Sequence, residues 1–164
     1  MEITKIRETV RSLIDKIGIE DPSIPVEKIA NFFSLNVVFY PNFPDSISGT
    51  IIKDNELLAI GVNSNHPKVR QRFTIAHELG HFVLGHDENS ILDDTFDKET
   101  DKEKEANRFA GELLMPKYML EKDLKEKEYT ISSLARRYEV SEQALSIKLL
   151  QDNLIGNKNL KKPL

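Results

Sequence analysis

"TIAHELGHFVLGHDEN", residues 74–89, holds three of the four histidines in the chain, two of them four residues apart with a glutamate directly after the first. A helix advances about 100° per residue, so His77 and His81 project from one face, one turn apart, and can reach a single ion. Phe73, Ile75, Ala76 and Leu79 on one side and Phe82, Val83 and Leu84 on the other predict a largely buried helix. Imidazoles on such a helix are costly unless ligated or hydrogen-bonded. The spacing is that of H-E-x-x-H, in which two imidazoles bind zinc and the glutamate, here Glu78, handles protons.

A catalytic zinc takes three protein ligands and keeps one position open. The extended metzincin pattern would need Gly at 84 and His at 87, but the chain has Leu84 and Asp87. His86 lies five residues past His81, about 140° round a continuous helix, which makes it a rim residue. A second helix can supply a carboxylate instead: "DKEKEANRFAGELLMP", residues 101–116, offers Glu103 and Glu105. With the apolar stripe from Ala106 to Leu114 as reference, Glu103 falls about 50° from its centre and Glu105 about 110°. Glu103 is therefore the expected third ligand. Asn107 follows at i+4 on the same side, where its amide oxygen can hold the outer N–H of a ligating imidazole.

The rest of the chain limits the alternatives. It contains no cysteine, which removes disulfides, thiolate metal sites and a cysteine nucleophile. With 39% apolar and 30% charged residues in 164, it reads as one globular domain or one with a small appendage. The opening "MEITKIRETVRSLIDKIGIE" has no continuous apolar run of the signal-peptide kind, and no segment approaches the roughly 18 apolar residues of a membrane helix. The expected location is the cytoplasm, with no membrane partner. Residues 130–164 carry six Lys/Arg against three Asp/Glu, or +3, so a net charge of −4 leaves −7 on the first 129 residues. An acidic body discourages non-specific DNA binding.

Periodicity gives the element order. Ile6, Val10, Leu13, Ile14 and Ile17 repeat at helical spacing and Gly18 follows as a stop. "VEKIANFFSL" after Pro25 reads as a short helix, and "NVVFY" as a strand. "SISGTII" and "ELLAIGVN" flank the turn-forming "KDN" and read as a hairpin. A long helix is expected from about Pro67 to Gly85, and residues 87–101 read as an acidic, non-periodic mobile loop. A further helix is expected with Ala106, Phe109, Ala110, Leu113 and Leu114 on one stripe and Pro116 at its end, and a short one over residues 116–128.

"TISSLARRYEVSEQALSIKLL", residues 130–150, has the cadence of a helix-turn-helix. Its expected exposed set of Glu142, Gln143, Ser146 and Lys148 holds one lysine offset by one glutamate, a weak electrostatic footprint for DNA. Arg136 and Arg137 could add phosphate contacts. The expected fold class is α+β: a mainly helical zincin-like body with a small antiparallel sheet or hairpin over residues 1–125, a helix-turn-helix-like segment over 126–155, and a frayed tail over 156–164.

Two stretches together, "RQRFTIAHELGHFVLGH" and "EKEANRFAGELLMP", resemble the ImmA/IrrE family of metallo-endopeptidases, a gluzincin-like arrangement of H-E-x-x-H with a downstream glutamate. The resemblance implies zinc, with manganese as the alternative ion, held by His77, His81 and Glu103, with Glu78 as the catalytic proton carrier. It also implies a cytoplasmic protease that cuts an Xre-like helix-turn-helix repressor and so releases mobile-element, prophage or stress genes. His86, Tyr118 and Arg72 are the candidates to assist the oxyanion. The rival readings are a DNA-binding regulator with an inactive or structural metal site, and a toxin–antitoxin component.

Overall fold

The computed structural model describes residues 1–54, 57–86 and 100–161. In chain order the elements are α1 (Ile3–Ile17), α2 (Val26–Phe32), β1 (Asn36–Tyr40), β2 (Gly49–Asp54), β3 (Leu57–Asn63), α3 (Lys68–Val83), α4 (Asp101–Leu114), α5 (Lys117–Glu126), β4 (Tyr129–Thr130), α6 (Ile131–Tyr138), α7 (Glu142–Gln151) and β5 (Leu160–Lys161). This is an α+β fold, as expected. Of the expected acidic loop, residues 87–99 lie outside the described residues.

By packing, the chain divides into two compact units. One comprises Met1 and Pro25–Ala110, the other Glu2–Ile24 and Gly111–Leu164. The amphipathic stripe of α1, with Ile6, Val10, Leu13 and Ile14 buried, belongs to the unit that holds the C-terminal helices. That association spans more than a hundred residues and leaves no local mark in the sequence.

In the first unit a three-stranded sheet has the order β1-β3-β2. The hairpin forms as the apolar runs predict, with Ile51 opposite Ile60 and Gly49 opposite Val62. β1 joins β3 in parallel, Val37 opposite Ile60 and Phe39 opposite Val62, so the sheet is mixed where a purely antiparallel one was expected. The intervening segment makes the parallel return possible, since parallel strands need a crossover longer than a tight turn. β3 is the central strand, and its Ala59, Ile60 and Val62 are buried.

Buried polar groups fix the connection that leads from β3 into α3. The Gln71 amide donates to the carbonyls of Ser64 (3.1 Å) and His66 (2.6 Å), and the Asn63 amide donates to Pro44 and Ile47. These bonds satisfy carbonyls that burial would otherwise leave unpaired, and they fix where the helix enters. Its Ile75, Ala76 and Leu79 are buried, as are Ala106, Phe109 and Ala110 of α4.

In the second unit α6 and α7 form the expected helix-turn-helix-like pair. Thr130 and Ser133 make a reciprocal capping box at the start of α6, and the Ser141 hydroxyl accepts from Ala144 N–H at the start of α7. Part of the tail expected to be frayed is tied down: Leu160 and Lys161 pair in parallel with Tyr129 and Thr130, and the Asn159 amide donates to the Leu124 carbonyl at 2.7 Å. Backbone pairing supplied by residues thirty positions upstream overrides the polar local composition. No helix among the described residues is long and apolar enough to cross a membrane.

Candidate metal centre

The histidine pair sits in the last two turns of α3. Gly80 lies between the two ligand candidates in sequence and faces α4. A Cβ there would meet the Ala106 backbone at 3.1 Å and Phe109 Cβ at 3.2 Å, so the absence of a side chain lets the helices approach closely. On α4, Thr100 Oγ1 accepts from Glu103 N–H at 3.2 Å, a cap that fixes the first turn in which Glu103 stands.

These constraints bring three side chains to one point. His77 Nε2 and His81 Nε2 are 3.0 Å apart, and each lies 3.1 Å from a different oxygen of the Glu103 carboxylate. Among the described residues, His77, His81 and Glu103 form the group of ligand atoms able to share one metal ion. The donor chemistry fits: two nitrogens and a carboxylate pointing inward demand a positive charge among them. The separations fit as well. Tetrahedral ligands at the usual zinc–nitrogen and zinc–oxygen distances stand about 3.3 Å from one another.

Electrostatics agree with that demand. Hydrogen bonds from His77 and then His81 hold the Glu103 carboxyl well below the usual carboxylate range, so it is ionised at neutral pH. Burial alone would lower the His77 pKa, but the bond to Glu103 and the charge of Glu78 outweigh it and raise the value.

Each imidazole has an outer partner. His77 Nδ1 lies 2.9 Å from Asn107 Oδ1, at the position the i+4 spacing predicts. His81 Nδ1 lies 3.0 Å from Nδ1 of His86, whose Nε2 lies 3.1 Å from Glu105 Oε2. Here the structure corrects the sequence reading, which turned His86 away from His81. The helix does not continue: Gly85 has φ 68°, its N–H bonds to Phe82 O, and His86 N–H bonds to His81 O at 3.0 Å. This left-handed cap folds residue 86 back over residue 81. Glu105 sits on the flank where the turn delivers His86, and it also pairs with the Met1 amino group. The signal for His86 was present in the glycine before it, the residue that most often ends a helix this way.

The remaining candidates fall into place. Glu78 follows His77 on α3 and is half-buried. Both ring nitrogens of His86 are engaged, which leaves no N–H for an oxyanion, and burial together with the neighbouring His81 holds its pKa below the usual value. Tyr118 lies in the second unit, its ring under the Arg11 guanidinium at 3.8 Å. Arg72 stands half-buried on α3.

The expected DNA-facing surface is depleted of cations. Lys148 is 4% exposed and pairs with Glu112 and, at 2.8 Å, with Asp152. Arg137 forks onto Asp123 at 2.7 and 2.9 Å. Of the cations considered for phosphate contact, Arg136 alone is exposed.

Residues 37–150 match the Peptidase_M78 family, described as the IrrE N-terminal-like domain, and the chain belongs to that family. A solved structure described as a Mycobacterium tuberculosis transcriptional regulator is similar, with a TM-score of 0.68 at 20% identity over 89% of this chain. At that identity the likeness concerns the fold, and the chain spans about half (46%) of that protein's length. No curated protein matches the sequence closely enough to count as a relative.

Proposed function

We propose that the protein is a metallo-endopeptidase that cuts a helix-turn-helix repressor of the Xre-like kind and thereby releases the genes it controls. The observation that carries the reading is the convergence of His77, His81 and Glu103 at 3.0–3.1 Å on two helices, in a chain of a peptidase family. The donor set of two imidazoles and one glutamate is that of catalytic zinc sites with an open fourth position, and manganese is the alternative occupant. An ion bound there supplies Lewis acidity toward a peptide carbonyl and acidifies water.

The chain's own residues then do the following. His77 and His81 present Nε2, with Asn107 accepting the outer hydrogen of His77. Glu103 contributes a full negative charge. Glu78, next to His77 on the same helix, takes a proton from the attacking water and passes it to the departing amine. Of the two hairpin strands, β3 is paired on both sides. β2 has one pairing edge beyond β3, and an extended peptide would add there by main-chain hydrogen bonds. In this reading residues 1–125 carry the chemistry, the segment 126–155 helps select the repressor, and the tail 156–164 is accessory. A repressor as substrate implies a cytoplasmic location. The description of the similar structure as a transcriptional regulator fits a role in gene control, and the buried Lys148 and paired Arg137 favour protein contact over DNA reading by α7.

The test is cleavage of a co-expressed candidate repressor by the wild type and by Glu78→Gln. The wild type should cut it. The variant should lose about two orders of magnitude or more in rate while keeping its metal, and equal cleavage by both would remove Glu78 from the chemistry.

A further inference from the structure

We infer that His86 and Glu105 are positioning residues for the metal centre, which together hold the proton of His81 on Nδ1 and so keep its Nε2 lone pair free for the ion. The inference rests on the metal-centre reading and deepens it. It follows from tracing hydrogens along one chain of contacts. A neutral imidazole that ligates through Nε2 must carry its hydrogen on Nδ1. In His81 that nitrogen faces Nδ1 of His86 at 3.0 Å, so His81 donates and His86 accepts. A neutral His86 that accepts on Nδ1 carries its hydrogen on Nε2, and the group 3.1 Å from that atom is a carboxylate oxygen of Glu105. A carboxylate can only accept, so each link fixes the one before it. The reverse order would put a hydrogen on His81 Nε2 and oppose metal binding.

The arrangement is built into the fold. The Gly85 turn brings the His86 backbone N–H onto His81 O and the His86 ring onto the His81 ring. The His86 side chain is 8% exposed and that of Glu105 20%, and such partly dry surroundings strengthen charge-assisted hydrogen bonds. His86 is not one of the three converging donors, which separates its role from ligation. One helix, α4, thus serves the centre three times: Glu103 toward the ion, Asn107 behind His77, and Glu105 behind His81 through His86.

Zinc dissociation constants, measured by chelator competition on the full chain, and long-range proton–nitrogen spectra of the zinc-loaded protein test this. In the spectra His81 should carry its hydrogen on Nδ1 and His86 on Nε2. His86→Ala should weaken zinc binding about 10- to 100-fold, and His86→Gln should recover part of the loss because its amide oxygen can accept from Nδ1. Glu105→Ala should weaken binding less, and should add nothing in a His86→Ala background, because it acts through that ring. Unchanged zinc affinity in folded His86→Ala, or an independent effect of Glu105 in the double variant, overturns the inference. So does a His86 hydrogen found on Nδ1, which the wild-type spectra reveal even if His86→Ala fails to fold. Failure of the wild type to bind zinc at all would overturn the metal-centre reading itself.

Discussion

Glu103 decides whether the histidine pair is a metal site or a buried curiosity, because two imidazoles one turn apart leave a tetrahedral ion short of a third protein ligand. Its carboxylate touches both rings, so Glu103→Gln, which keeps the shape and removes the charge, should reduce zinc retention after dialysis by at least tenfold. Retention equal to wild type would reassign the ligand. A second test at this scale lies in the other unit. Tyr138 is fully buried and donates to Asp123 at 2.9 Å, and burial, then the Asp123 charge, raise its pKa far above the ordinary value. A raised folded value means stability that is intact below the unfolded pKa near 10 and is lost as pH rises beyond it, by about 1.4 kcal/mol per pH unit for one proton. The slope of unfolding free energy against pH above 10 should be shallower in Tyr138→Phe; an identical slope would show that the phenol does not contribute. At the residue scale the sequence exposed His77, Glu78 and His81 through the geometry of one helix, and Glu103 and Asn107 through that of a second. It named His86 and Glu105 but hid their contact with each other and with His81, because that depends on where the helix stops.

At the scale of elements, the centre depends on how closely α3 and α4 approach. Gly80 permits that approach with the Ala106 backbone and Phe109 as its neighbours, and backbone atoms yield less readily than the tip of a side chain. Gly80→Ala should therefore cost about 1–3 kcal/mol of stability in urea unfolding and weaken zinc binding as well, since Glu103 rides on the displaced helix. Unchanged values for both would mean that the contact relaxes freely. The helices and the hairpin were legible because each has a local period or turn signal. The parallel pairing of β1 with β3 was not, since a strand's pattern tells which face is buried but not which distant strand it joins. The same limit explains Lys148. On the sequence it is an exposed helix residue, and in the structure it is enclosed by Glu112 and Asp152, acids that lie on other parts of the chain or one turn further along.

For the whole molecule, the metal reading links binding to stability. An ion bound by the folded chain and not by the unfolded one stabilises it by about 2.7 kcal/mol at a hundredfold excess over the dissociation constant. For a chain of this size that corresponds to a rise of about 5–10 °C in Tm. The rise should appear with zinc, vanish with chelator and be absent in Glu103→Gln; a Tm insensitive to zinc in the wild type would contradict tight binding. The grouping of α1 with Gly111–Leu164 shows where sequence reading stops at this scale. Its apolar stripe announces that it packs, and only the folded chain tells against what. X-ray diffraction from crystals soaked in zinc would show the shared ion itself. One ion should be bonded to His77 Nε2, His81 Nε2 and a Glu103 oxygen at about 2.0–2.2 Å; zinc bound elsewhere, or these three side chains directed apart, would contradict the account.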